Sequence, residues 1–240
     1  METVDKSAPG HNLPTVVTGS QVLGVFAKQP VAGRVKTRLC PPLTFEQAAT
    51  FYEVCLQETL ARLRDAAWPV VLFFEGDPRW FAERFPALPL LPQGEGDLGV
   101  RMGRALETLL QAGARSAGLV GTDSPDLPLE LVEQAMAGLE VNDAVTIPAD
   151  DGGYVLVGWR RPCPQMFEDI PWSSDRVLEL TRQRAARAGL RYLEVGHWYD
   201  LDDAGALTGL LERSPGGLAA RHLRQHLPGV LPVPGCGSAR

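Results

Sequence analysis

Apolar residues in this 240-residue chain gather into short runs, and the stretches between them repeat apolar positions at every third or fourth residue. The runs 22–27 and 70–74 are almost continuous, which is the pattern of strands buried on both faces. Further runs at 88–91, 117–120, 144–147, 154–159 and 190–195 predict the remaining strands. Helices fill the intervals. Thr44-Phe-Glu-Gln47 has the form of a capping box, and Phe45, Ala48, Ala49, Tyr52, Leu56, Leu60 and Leu63 follow at helical spacing. Asp77-Pro78 reads as a cap followed by proline at the first helical position, opening a short helix through Phe85. Other helices are expected from the end of a Gly-rich loop at 93–99 to near Gly113, over 129–138, and over 174–188 with Gly189 as the stop. Asp203 caps a helix through Leu211, and a last helix covers 218–227. Strands alternating with helices predict an α/β protein, a three-layer α/β/α sandwich. One domain is expected over 21–227, with a flexible leader at 1–20 and a flexible tail at 228–240.

In open α/β sheets ligands lie beyond the carboxyl ends of the strands, so the loops leaving those ends carry the candidate chemistry. The first such loop holds Lys28, Gly33, Arg34, Lys36, Thr37 and Arg38. No carboxylate occurs between Asp5 and Glu46, although the net charge of the chain is −6. A cationic loop with glycine, placed between a buried strand and a helix, suits a polyphosphate. Arginine forks onto two phosphate oxygens and lysine adds a point charge. The alternative is a solvated basic loop. Gly94-Glu-Gly96-Asp97-Leu98-Gly99 matches G-x-G-x-x-G, but Glu95 and Asp97 would repel a pyrophosphate. That loop could surround a base instead. An ionised Asp97 would accept from the two donors of a guanine edge, or it would cap the helix starting at Leu98.

Asp123, in Gly121-Thr-Asp123-Ser-Pro-Asp126, follows a buried strand directly and suits a divalent cation held against substrate phosphates. Asp126 reads as a ligand or a cap. Asp202 or Asp200 could supply the second metal ligand. No G-x-x-x-x-G-K-[ST] loop and no nucleophile elbow occurs.

Composition narrows the classes. With 45% hydrophobic and 22% charged residues the chain is an ordinary globular one. A pI near 5.3 argues against a nucleic-acid binder. Cys40, Cys55, Cys163 and Cys236 are scattered, which indicates neither a zinc site nor a disulfide framework and suits the reducing cytoplasm. No apolar run is long enough for a membrane span, and the start lacks the pattern of a signal peptide.

Four motifs in order, F-A-K-x-P-x-x-G-x-V-K-T-R-L, D-L-G-x-R-M, G-T-D-x-P-D-L and D-G-G-Y-x-L-x-G, resemble the bacterial DUF2064 family. That family is assigned to the nucleotide-diphospho-sugar transferases, whose fold is the Rossmann-like GT-A fold with a mostly parallel central sheet. The superfamily includes molybdenum-cofactor and phospholactate guanylyltransferases, and Lys36-Thr-Arg38-Leu39 is similar to the K-S-R-L of the latter. The resemblance implies that Gly33, Arg34, Lys36 and Arg38 form the phosphate loop and that Gln93 and Gly96-Asp97-Leu98 sit where the base is read. It implies Asp123 and Asp202 as ligands of Mg²⁺ (or Mn²⁺), with Asp203 standing where the family pattern has threonine. It places Asp151-Gly-Gly-Tyr154 on the acceptor side. The expected partners are a nucleotide di- or triphosphate or an NDP-sugar, and a small-molecule acceptor. Nucleotidyl transfer to a phosphorylated acceptor is favoured by the dense basic loop. Glycosyl transfer, with Asp151 as the base, and nucleotide binding without catalysis are the alternatives.

Overall fold

The computed structural model describes residues 18–64 and 66–230. Most of the expected leader and tail lies outside them. The described end of the leader is docked on the fold, with the Gly19 amide donating to the Gly113 carbonyl at 2.7 Å.

The elements alternate as the apolar pattern requires. In chain order they are β1 (Gln21–Lys28), α1 (Phe45–Leu63), β2 (Val70–Glu75), α2 (Pro78–Arg84), β3 (Leu90–Pro92), α3 (Leu98–Gln111) and β4 (Ser116–Val120). There follow α4 (Leu129–Gly138), β5 (Ala144–Pro148), β6 (Tyr154–Trp159), α5 (Val177–Arg187), β7 (Tyr192–Glu194), α6 (Ala204–Arg213) and α7 (Leu218–His226). Both halves of the Thr44 capping box are formed, and Asp77 and Asp203 cap α2 and α6 through Arg79 N and Ala206 N. Helix α5 begins at Val177, three residues later than expected. Ser174 Oγ instead donates to the Pro171 carbonyl and accepts from Arg176 N, which holds 174–176 as a turn.

Seven strands form one sheet in the order β3-β2-β1-β4-β6-β5-β7. Every pairing is parallel except those of β6, which runs antiparallel to both β4 and β5. Residues of α3 and α5 pack on one face against Val22, Val71, Ala117 and Trp159. Residues of α1 and α4, with Phe81 of α2, pack on the other against Leu23, Val25, Leu72 and Val145. The result is a three-layer α/β/α sandwich. Gly24 of β1 makes room on the sheet for Leu119 and the ring of Phe73 from the flanking strands, with which a Cβ there would collide.

A third apolar cluster positions the functional edge. It joins α1, α6 and α7 and fully buries Leu39 and Leu201. Leu39 belongs to the loop after β1 and Leu201 to the loop after β7, so the cluster draws together segments from opposite ends of the chain. Glu58 of α1 reinforces it, accepting from Arg62 and from Ala219 N at the first turn of α7. Among the described residues no helix is long and apolar enough to cross a membrane.

The opposite edge of the sheet is closed by Asp143, just before β5, with its side chain 8% exposed. It accepts from Arg191 N and NH2 at 2.9 and 3.1 Å and from Arg161 Nε at 3.1 Å. Those bonds, led by Arg191 and then Arg161, hold its carboxyl well below the usual range. A depressed folded value contributes stability above the unfolded value of about 3.9, and that contribution is lost as pH falls through the folded one. Asp143→Asn is therefore expected to cost about 2 kcal/mol at neutral pH. Denaturant titrations of both proteins check this, and the gap between them should shrink steadily once the pH drops below about 4.

Candidate active site

The carboxyl ends of β1 to β5 and β7 meet along one edge, and β6, being inverted, starts there. The loops on that edge enclose a cleft of about 780 Å³. Its walls come from the basic loop after β1, from Gln93 and the first turns of α3, and from the Gly121–Asp123 loop. Residues 149–153, 172–175 and 200–202 complete it.

Lys36 is the innermost charge. Its side chain is 3% exposed, and its Nζ lies 2.5 Å from Asp123 Oδ1 and 3.9 Å from Asp202 Oδ1. It also donates to the Leu201 carbonyl at 2.7 Å. Burial alone would lower its pKa, but Asp123 foremost, with Asp202 behind it, outweighs burial and raises the net value. The ammonium is therefore charged at neutral pH. The Lys36 backbone is left-handed, at φ 49° and ψ 34°, which costs an L-residue about 1 kcal/mol. That turn sends Lys36 inward while Leu39, after a single 3-10 turn at Thr37–Leu39, enters the apolar cluster.

Arg38 closes the other side of the same knot, donating from NH1 to Asp202 Oδ2 at 2.6 Å. Two further bonds tie the acidic loops to each other: Leu201 N to the Asp123 carbonyl at 2.8 Å, and Ser124 Oγ to the Tyr199 carbonyl at 2.6 Å. Tyr52 on α1 joins the start of the basic loop to the Asp123 loop. Its Oη accepts from Lys28 N at 2.9 Å and from Thr122 Oγ1 at 2.8 Å.

The carboxylates divide into two groups. Asp123, with a side chain 53% exposed, faces Lys36. Asp151, Asp200 and Asp202 bring one oxygen each within 4.8 Å of one another. Burial, then Asp202, Asp151 and Asp123, push the Asp200 carboxyl up to about 6. Crowded carboxylates of this kind match the all-oxygen donor set that hard divalent cations take. The family resemblance implies Asp123 and Asp202 as ligands, with Asp200 left open by the residues alone. In the structure Asp123 and Asp202 are linked through Lys36, and Asp202 shares its cluster with Asp151 and Asp200.

Of the other expected residues, Lys28, Arg34, Thr37, Arg38 and Gln93 line the cleft. Gly33, Gly96 and Asp97 do not. Gln93 is buried, and its Nε2 donates to the Ala27 and Phe73 carbonyls at 3.1 Å, so it braces three strands. Asp97 caps α3, its Oδ1 accepting from Val100 N at 2.9 Å. Asp126 neither caps α4, whose N-cap is Pro128, nor faces the cleft. Buried, it accepts from the hydroxyl of Tyr199, whose ring lies under the Arg213 guanidinium.

Sequence reasoning quoted Arg101 only within the D-L-G-x-R-M motif, with no role of its own, and missed the segment 172–175. Arg101 NH1 donates to Glu75 at 2.7 Å and to Gln93 Oε1 at 3.0 Å. Trp172, Ser173, Ser174 and Asp175 line the cleft from a non-periodic loop that carries no motif. The sole sequence signal there was a tryptophan within a polar turn.

The fold is that of the nucleotide-diphospho-sugar transferases. A provisionally assigned nucleotide-diphospho-sugar transferase from Desulfovibrio desulfuricans G20 superposes with a TM-score of 0.83 at 30% identity, covering 89% of this chain and 97% of that one. The family model described as an uncharacterised protein conserved in bacteria, DUF2064, matches residues 59–174, and the chain belongs to that family. A cytidylyltransferase from Leptospira borgpetersenii serovar Hardjo-bovis shares the fold, with a TM-score of 0.53 at 11% identity over 89% of this chain and 97% of that one. So does the bifunctional IspDF of Campylobacter jejuni, with a TM-score of 0.52 at 10% identity over 79% and 54%. No curated protein matches the chain in sequence.

Two expectations follow from this geometry. From sequence alone, Asp123→Asn alters an ion site and leaves the fold intact. The structure adds that the change deprives a buried ammonium of its nearest carboxylate, so a loss of about 2 kcal/mol is expected by thermal or denaturant unfolding. Asp97→Ala should cost about 1 kcal/mol through the lost cap. Its ratio of affinities for guanine and adenine nucleotides, measured by competition, should match that of the unaltered protein.

Proposed function

We propose that the protein is a divalent-cation-dependent transferase that seats a nucleoside di- or triphosphate donor against the basic loop and transfers a nucleotidyl group to a small phosphorylated acceptor. The observation that carries this reading is the buried Lys36 ammonium, set with Arg34 and Arg38 on the same wall of the cleft as Asp123 and Asp202. Arg38 is exposed and its ion pair with Asp202 is solvated, so it can exchange that carboxylate for a phosphate at little cost. An acceptor phosphate oxygen attacks the α-phosphorus, the bond from that phosphorus to the bridging oxygen breaks, and the leaving group is pyrophosphate from a triphosphate donor or phosphate from a diphosphate donor. Lys28, Arg34 and Arg38 hold the departing charge, and Lys36 fixes the loop from which they project. Asp151, Asp200 and Asp202, with Asp123 beside them, would hold Mg²⁺ (or Mn²⁺). Such an ion supplies charge neutralisation at the transferred phosphate.

One observation favours glycosyl transfer as a second reading. The wall formed by residues 151–154 and 172–175 carries Asp151 and Asp175 and no cation. A hydroxyl acceptor suits such a wall. Asp151 Oδ1 is engaged by Gly153 N at 2.8 Å, which leaves its other oxygen to take a hydroxyl proton.

A panel of nucleoside triphosphates and NDP-sugars, incubated with Mg²⁺ and candidate acceptors, separates the two. Nucleotidyl transfer releases pyrophosphate and glycosyl transfer releases a nucleoside diphosphate. Either release should stop with a chelator and resume when Mg²⁺ is restored. Release that persists in chelator would contradict the cation requirement. Saturable nucleotide binding with no release from any pairing would favour a binding protein.

A further inference from the structure

We propose that Tyr199, clasped between Asp126 and Arg213, is a positioning residue that sets the spacing of the cleft carboxylates and, through it, the affinity for a divalent cation. The proposal rests on the reading of the cleft as a cation-dependent transferase site, but it concerns three side chains that do not line the cleft.

Tyr199 is held by its hydroxyl, its carbonyl and its ring. The hydroxyl donates to Asp126 Oδ2. The carbonyl accepts from Ser124 Oγ at 2.6 Å. The Arg213 guanidinium lies over the ring, 3.1 Å from its centroid, well inside cation–π range. Gly209 of α6 makes room for it, since a Cβ there would come within 2.5 Å of Arg213 NH1. The preceding residue is anchored to a different loop. Trp198 N donates to the Pro148 carbonyl at 2.9 Å, and the Trp198 carbonyl accepts from Asp150 N at 3.2 Å. Tyr199 therefore sits between the loop that carries Asp123 and the loop that carries Asp151, and directly before Asp200 and Asp202.

Stability alone does not account for this trio. The Asp126 side chain is 1% exposed, and Arg213 Nε stands 3.7 Å from its Oδ2. Its Oδ1 is buried with no hydrogen-bond partner among the described residues. A buried carboxylate so sparsely paired is a costly way to fill a core, and apolar side chains of similar volume often replace buried ion pairs with no loss of stability. What the carboxylate adds is direction, because it gives the Tyr199 hydroxyl one acceptor and so fixes how the residue is turned. That matters for residues 198–203, which have no helix or strand of their own beyond the single bridge at Trp198. The contacts of Tyr199, together with the bond from Leu201 N to the Asp123 carbonyl, decide where Asp200 and Asp202 stand relative to Asp123. Affinity for a hard cation depends on the rigidity of the oxygen ligands as well as on their number. Asp126 and Arg213 act on the cation only through Tyr199.

The test is a titration of Mn²⁺ into the full chain, followed by the loss of the free-ion signal in electron paramagnetic resonance, with Mg²⁺ as competitor. The unaltered protein is compared with Tyr199→Phe and Tyr192→Phe. The first variant keeps the ring beneath Arg213 and removes only the hydroxyl. The second is the control for a merely structural role, because it removes a comparable hydrogen bond, between Tyr192 and Thr146 at 2.6 Å, from residues that do not line the cleft. Affinity for Mn²⁺ should fall about fivefold in Tyr199→Phe, the loss of one hydrogen bond expressed in a dissociation constant. In Tyr192→Phe it should be unchanged, although both variants lose thermal stability. Should Tyr199→Phe fail to fold, Arg213→Lys, at a partly exposed position, keeps the charge, gives up the flat contact with the ring, and should weaken Mn²⁺ binding in the same direction. Unchanged Mn²⁺ affinity in the folded variant, or an equal loss in Tyr192→Phe, would overturn the positioning role and leave the cation site standing. Absence of saturable Mn²⁺ binding by the unaltered protein would remove the cation reading and the positioning role with it, so the two failures are distinguishable.

Discussion

A lysine ammonium buried at the base of the cleft needs partners, and that requirement organises the active edge of this protein. Moving a charge out of water costs several kcal/mol unless it is paired and hydrogen-bonded. Lys36 meets the condition with Asp123, the Leu201 carbonyl and, at longer range, Asp202. These partners come from the loops after β4 and β7, so satisfying one charge fixes three loops. The apolar cluster of α1, α6 and α7 does the complementary work, burying Leu39 and Leu201 on the same two loops that carry Lys36 and Asp202.

The polarity of the cleft follows from this arrangement. Cations are concentrated on the loop after β1, and carboxylates on the loops after β4, β5 and β7. Residues 149–153 reach the edge where the parallel strands end because β5 runs parallel to β7 and ends there, and the short turn they form sends β6 back antiparallel. Burial first, and then repulsion from Asp202, Asp151 and Asp123, raise the pKa of Asp200 on that side. Such a cluster gains by taking up positive charge, which is the electrostatic basis of the cation site we propose.

Local order was legible in the sequence to the extent that local chemistry determines it. The capping box at Thr44, the caps at Asp77 and Asp203, the stop at Gly189 and the buried strands are all short-range patterns, and the structure contains them. The cleft loops that leave strand ends were legible too, since the ends locate them; the segment 172–175 was not. Pairings between loops were not. Nothing near Lys36 in sequence indicates that Asp123 and Leu201 will enclose it, and the meeting of Asp151 with Asp200 and Asp202 depends on β5 and β7 lying side by side. Asp97 had two readings at equal spacing, and the geometry of α3 shows the cap. Trp172 stood in a stretch without periodicity, and only the close packing on Gly99 explains its position.

The most direct test of the central claim is calorimetric titration of nucleoside triphosphate with Mg²⁺ into the unaltered protein and into Lys36→Met, which keeps the apolar stem and removes the charge. If Lys36 anchors the phosphate loop, affinity should fall by tenfold or more. The loss should grow smaller as salt weakens binding to the unaltered protein. Equal affinities in a folded Lys36→Met protein would contradict the account and place the phosphate site elsewhere.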